Sequence, residues 1–145
     1  MARGKTSRHG KSIKGANQKV SDDFLTLNAG KPGVVTTGSG LQYLILDEGE
    51  GIGPTPDDFS TVTVHQRVSL VDKTVITDTY PSNTPESFTM DEAIDGYKEG
   101  LSLMKAGDRY RFFIPSDLAW GNRGSGNTIG PYMIIIIDCR LVSIS

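Results

Sequence analysis

Few side chains in this chain could carry covalent or acid–base chemistry. The two histidines, His9 and His65, lie far apart without a Cys or carboxylate at ligand spacing, so the pattern offers no metal site. The single cysteine, Cys139, excludes an intramolecular disulfide and leaves the redox compartment open. Ser, His and Asp all occur, but not in an arrangement that suggests a triad. The glycines of Gly121–Gly130 do not fit a phosphate loop. Two other residues draw attention. Trp120 borders that ten-residue stretch with its four glycines, which reads as a long exposed loop of the kind that carries function on a rigid scaffold. Gln66 interrupts an apolar stripe, and a buried amide costs free energy unless paired. It must find hydrogen bonds or face a wetter cavity.

The elements that position these residues follow from periodicity. Ile94, Tyr97, Leu101 and Met104 recur at helical spacing and predict a helix over Asp91–Met104. Asp91, Glu92, Asp95 and Glu99 complement its dipole, and Lys105 with Gly107 marks its end. Arg109–Ile114 alternates as a strand and is stopped by Pro115. Ser60–Val71 is the longest alternating run, with Val62, Val64, Gln66, Val68 and Leu70 on one face. Shorter strands are expected at Leu41–Leu46, Thr74–Thr77 and around Phe88. Met133–Ile144, with its run of isoleucines, reads as a central strand buried on both faces. A short amphipathic helix followed at once by a strand says that the helix covers a sheet.

Three segments are expected. Residues 1–19 hold six of the fifteen Lys and Arg and no acid, so the rest of the chain carries nine bases against seventeen acids. Residues 1–15 have almost no large apolar side chains and read as a disordered basic tail. Residues 16–35 read as a linker helix and connection, with Val20, Phe24 and Leu27 at helical spacing before Asn28, Gly30 and Pro32. Residues 36–145 form one domain, which suits a chain that is 37% hydrophobic. No apolar run approaches a membrane span, and no hydrophobic stretch follows the N-terminal basic residues as a secretory signal would. The compartment is cytoplasmic if the sequence is complete, and periplasmic or organellar if a leader was removed.

The run YKEGLSLMKAGDRYRFFIPSDLAWG resembles a segment of FKBP-type peptidyl-prolyl isomerases that usually reads GW-x-EGL-x-x-M-x-x-G, then a strand, Pro and D-x-AYG. IGPYMIIIIDCRLVSI is similar to that family's last strand, and GLQYLILDEGEG with VTVH to its first strands. ANQKVSDDFLTLNAGKPGVVTTGSGLQY resembles the junction before the catalytic domain in the Mip-like branch. The long dimerising part of that helical region is absent, so the resemblance does not imply a dimer.

The resemblance implies an α+β fold, a curved antiparallel sheet wrapped around one short helix and preceded by a short N-terminal helix and a disordered basic tail. It also implies an enzyme that rotates X–Pro bonds. The barrier is about 18–20 kcal/mol and comes from amide resonance. It falls when the twisted amide is bound better than either planar form, in an aromatic cup that withdraws water. No cofactor or metal is implied. Carried over by position, the cup floor, usually Trp, is Tyr97, and the AYG tyrosine is Trp120, which keeps an indole N–H donor. Ile94, whose backbone N–H binds a ligand carbonyl in the family, and the loop residue Ile129 are retained. The remaining pocket positions differ: Gln66 replaces a Tyr, Ile76 and Thr77 replace a Phe–Asp pair, and Ile137 replaces a Phe. Asp78 lies one residue beyond the expected carboxylate, and a one-residue slip turns a strand side chain to the other face. His65 is expected to serve the fold.

The implied function is a folding-assisting isomerase of reduced activity acting on proline-containing polypeptides, with weak binding of tacrolimus-like macrolides. The alternative is a non-catalytic chaperone or adaptor module that binds extended or Pro-containing segments. Contact of the basic tail with nucleic acid is conceivable from its charge, and solubilisation is the simpler account.

Overall fold

The computed structural model describes the backbone of residues 2–145 and the side chains from Ile13 onward. Seven strands form one antiparallel sheet: β1 (Val35–Thr36), β2 (Gln42–Asp47), β3 (Thr61–Ser69), β4 (Val75–Asp78), β5 (Glu86–Thr89), β6 (Arg109–Ile114) and β7 (Ile135–Ile144). The order is β1-β2-β6-β7-β3-β4. One edge of β3 pairs with β7, while its other edge is shared by β5 near its start and β4 near its end. Register shifts within β2 and at both ends of β3 bend the strands, as bulges do. The predicted α+β architecture is present.

The concave face carries the core. Val62 and Val64 of β3, Phe112 and Ile114 of β6, and Ile135, Cys139 and Leu141 of β7 are all but inaccessible. Helix α2 (Asp95–Leu101) crosses this face and buries Tyr97 and Leu101 against it, with Met104 following in the turn beyond. Its close approach depends on two glycines. A Cβ at Gly96 would collide with the Ile114 side chain, and one at Gly100 would lie 2.7 Å from Cδ1 of Phe112.

The central helix is shorter than its apolar period predicts. Thr89 and Glu92 form a reciprocal capping box that starts a 3-10 turn at Met90–Glu92, and the backbone is then extended through Ala93 and Ile94. Ile94 is therefore the residue before the helix rather than its first buried position. Its carbonyl accepts from Lys98 N–H (2.9 Å), whereas its own N–H has no acceptor among the described residues. An unbroken helix would have committed that donor to the carbonyl four residues back.

The N-terminal helix α1 spans Ala2–Ala29, so its backbone runs through the segment expected to be disordered and well before Ala16. Its C-terminal half is anchored to the domain. Asn17 donates to Pro131 O (2.9 Å), Ser21 to Tyr132 O (2.5 Å) and Asn28 Nδ2 to Gln42 Oε1 (2.8 Å), while the Phe24 and Phe113 rings meet at 5.9 Å. Once a docked segment has met the nucleation cost, each added residue needs only to propagate the helix, which a polar sequence can do without burial. Among the described residues no helix is long and apolar enough to cross a membrane.

Candidate functional site

A cavity of about 240 Å³ opens between the start of α2 and the concave face of β3 and β7. Tyr97 and Ile94 come from α2 and its cap, Gln66 and Val68 from β3, and Ile137 and Ile135 from β7. Phe88 of β5 and Trp120 complete the walls, with Ala93 and Glu92 at the edge. Five of the residues expected from sequence thus converge: Tyr97, Trp120, Ile94, Gln66 and Ile137. Their convergence needs the crossing of α2 over two strands that are distant in sequence.

The other three lie outside the cavity walls. Ile129 is buried in the main core, in a loop closed by paired bonds between Ser125 and Ile129 (2.7 and 3.2 Å). Ile76 packs against the same core at partial burial, and Thr77 pairs with Val68 across the β3–β4 ladder. Asp78 accepts from the Tyr80 backbone N–H (3.0 Å) and faces Arg67 (3.9 Å), so it does not replace a pocket carboxylate.

The floor is aromatic. The Tyr97 ring lies 5.7 Å from Phe88 and 6.0 Å, edge-on, from Phe112. Its hydroxyl donates to Gln66 Oε1 at 2.8 Å and lies 3.3 Å from Cys139 Sγ. Gln66 Nε2 donates to Glu86 Oε2 at 3.0 Å, so the amide in the apolar stripe is paired at both ends. Burial pushes the Tyr97 phenol well above its ordinary value, reinforced by the neighbouring thiol, and pushes the Cys139 thiol up to about 12. Both groups keep their protons, and neither is a nucleophile.

Two donors remain at the cavity without a partner among the described residues, the Ile94 backbone N–H and the indole N–H of Trp120, which is 37% exposed. No cluster of three His, Cys, Asp or Glu could hold a metal among the described residues. The site can desolvate a small apolar ring and offer hydrogen bonds to flanking carbonyls. It has no group placed for acid–base or covalent work.

Phe88, Val68 and Ile135 are walls that the sequence reading did not single out, because each looks like an ordinary strand residue. A further cluster lies on the opposite face. Asp138 accepts from Arg109 Nε (2.8 Å) and Nη2 (3.0 Å), from Arg111 (3.3 Å) and from the Tyr80 hydroxyl (3.0 Å). His65 bonds Thr79 and Asn83 and stacks on Tyr80 at 5.4 Å, which makes it a fold element on that face. An aspartate directly after a run of four isoleucines is the sequence signal that could have disclosed this cluster.

Comparison with known proteins finds relatives in both sequence and fold. Residues 53–142 match the family model described as FKBP-type peptidyl-prolyl cis-trans isomerase, and residues 2–45 match the domain amino terminal to FKBP-type peptidyl-prolyl isomerase. A probable FKBP-type peptidyl-prolyl cis-trans isomerase FkpA of Neisseria meningitidis is 43% identical over 89% of this chain and 47% of its own length. The outer membrane protein MIP of Legionella longbeachae is 41% identical over 88% of this chain and 54% of its own. The chain thus spans about half the length of these relatives. The crystal structure of FkpA from Escherichia coli superposes with a TM-score of 0.89 at 29% identity, covering 99% of this chain and 67% of that one. A Pseudomonas syringae peptidyl-prolyl cis-trans isomerase gives 0.83 at 30%, covering 91% and 96%. With the family model matched over residues 53–142, more than half of its length, this chain belongs to the FKBP-type peptidyl-prolyl cis-trans isomerase family.

Proposed function

We propose that the cavity binds the proline ring of an X–Pro segment and lowers the barrier to its rotation, with a rate below that of a family pocket holding the usual aromatic and carboxylate residues. The observation that carries this is the enclosure of Tyr97, Phe88, Trp120 and Ile137 around a volume of about 240 Å³ beside the unpartnered Ile94 N–H. An apolar cup favours the less charge-separated twisted amide, and the donors hold the flanking carbonyls as it turns. The substrates are proline-containing polypeptides, and the biological role is assistance to their folding.

The reduced rate follows from the substituted positions. Thr77 cannot supply a carboxylate, and neither Ile76 nor Ile137 supplies an aromatic wall. Each lost polar contact is worth about 1 kcal/mol, so two or three would weaken macrolide binding by roughly ten- to a hundred-fold. The test compares the native chain with the combined change Ile76→Phe, Thr77→Asp and Ile137→Phe, which leaves the Gln66–Tyr97 bond in place, in a protease-coupled assay on an X–Pro peptide. Measurable native turnover that rises in the triple variant, with tighter macrolide binding, is expected. No native turnover alongside peptide binding would favour a non-catalytic binding module. Unchanged rate and affinity in a folded triple variant would refute the view that these positions limit activity.

A further inference from the structure

We propose that Gln66 is a positioning residue for the pocket floor, and that Gln66 and Tyr97 work as one hydrogen-bonded unit whose orientation is set from outside the cavity by Glu86. The proposal rests on the cavity being the proline site. A phenol at the floor would ordinarily be a liability, since an unpaired hydroxyl beneath an apolar ring costs free energy and attracts water. Here that hydroxyl is buried and paired, donating to Gln66 Oε1 at 2.8 Å. The ring is held on two further sides, by Phe88 at 5.7 Å and Phe112 at 6.0 Å, so fixing its tip fixes the plane offered to a ligand.

The amide is itself oriented. A carboxylate only accepts, so Glu86 Oε2, 3.0 Å from Nε2, selects the flip that sends Oε1 towards Tyr97. The Gln66 backbone is pinned at both groups: its N–H donates to Thr79 Oγ1 (2.9 Å) and its carbonyl accepts from Thr79 N–H (3.0 Å). Cys139 stands directly opposite Gln66 across the β3–β7 ladder and meets the phenol oxygen from the other side at 3.3 Å. Gln66 and Tyr97 differ from the residues usual at their positions, yet they satisfy each other. Two departures that look like separate losses are a matched pair.

The test is a double-mutant cycle on kcat/KM and on peptide affinity, using an Ala-Leu-Pro-Phe anilide and the fluorescence of Trp120, the chain's single tryptophan. Removing one partner strands the other in a buried site, whereas removing both leaves an apolar contact. Gln66→Leu and Tyr97→Phe should each lower kcat/KM and affinity by about fivefold or more, and the double variant should return to within about threefold of the native values. Losses that multiply in the double variant, or single variants within about twofold of native, would overturn the proposal. A purely structural role would lower the melting temperature while leaving both constants of the folded protein unchanged, which also overturns it. Glu86→Ala, an exposed change, keeps the test decisive if a buried variant fails to fold. A loss of about two- to fourfold is expected there, and unchanged constants would overturn the orienting role. Native protein that binds but does not turn over, with coupling intact in the affinities, would refute the isomerase function and support this pair. Turnover without coupling would do the reverse, and neither binding nor turnover would refute both.

Discussion

Substituting Gly100 by Ala sets two physical effects of opposite sign against each other. In an exposed helix interior the change is favourable by about 1 kcal/mol, because alanine gives up less backbone freedom. At Gly100 the added Cβ would lie 2.7 Å from Cδ1 and 2.8 Å from Cζ of Phe112, and closer still to Cε1. Phe112 is fully buried, with the Tyr97 and Tyr110 rings each at 6.0 Å, so it has no vacant direction in which to rotate. Relief requires lifting α2 from the sheet. Overpacking costs about 1–3 kcal/mol, and approaches this close to a buried ring belong to the upper part of that range, about 2–3 kcal/mol, so the propensity gain of about 1 kcal/mol leaves a net loss of about 1–2 kcal/mol. For a domain of this size that is a fall in Tm of roughly 3–8 °C. The lift also carries Tyr97, three residues earlier, away from the cavity floor, so peptide affinity should weaken with stability. Gly15→Ala in α1 is the matched control, since a Cβ there meets nothing within 4 Å. It should leave Tm unchanged or slightly raised. A Gly100→Ala protein melting at or above the native temperature, with native peptide affinity, would refute the view that close approach at this glycine positions the floor.

Three further outcomes are expected. At Asp138 burial pushes the carboxyl up, but its bonds to Arg109, Tyr80 and Arg111, with the Arg109 charge, outweigh that and hold it below its ordinary value. Because the folded value lies below the unfolded one, its contribution to stability is present above about pH 4 and is lost as pH falls through the folded value. Urea unfolding should give Asp138→Asn a stability about 1–2 kcal/mol below native at neutral pH, both arginines being partly solvated, and the gap should close on acidification. Cys139 is fully buried with its thiol pushed up to about 12, so Ellman's reagent should find no thiol in the native protein and one equivalent in denaturant. Deleting residues 1–15 should leave melting temperature and peptide affinity within error. Deleting through Ala29 should lower stability by more than 2 kcal/mol on the order of lost core contacts, because Phe113 and Gln42 lose their cover.

What could be read from the sequence was whatever repeats along one element. The alternation of Val62, Val64 and Gln66 places all three on the concave face, and all three are buried there. The spacing of Tyr97, Leu101 and Met104 likewise gives the buried side of α2 and its following turn. The same period drew Ile94 into the helix, since a 3.6-residue count is blind to one extended residue. The local chemistry of Thr89 and Glu92, three apart, was the signal of a break, and that break leaves the Ile94 N–H uncommitted. Composition says little about how far α1 extends, because it weighs how much a segment can bury and not whether a docked neighbour has already nucleated the helix.

Position-by-position comparison fails for a different reason. Gln66 and Tyr97, taken singly, are each a departure that removes something: an aromatic ring at one site, an indole at the other. They lie 31 residues apart, and the bond between them exists only because α2 crosses β3 at that point. Glu86, on a third element and exposed, completes the set without looking unusual in sequence. A buried polar group is stable only as a member of a satisfied network, so the relevant unit of substitution in such a pocket is the network. The consequence for this chain is directional. Restoring a single family residue at position 66 would strand the Tyr97 hydroxyl unless its own hydroxyl took over the Gln66 contact. Restoring both together would avoid that penalty. The effect of changing either position on stability and affinity should therefore depend on which residue stands at the other.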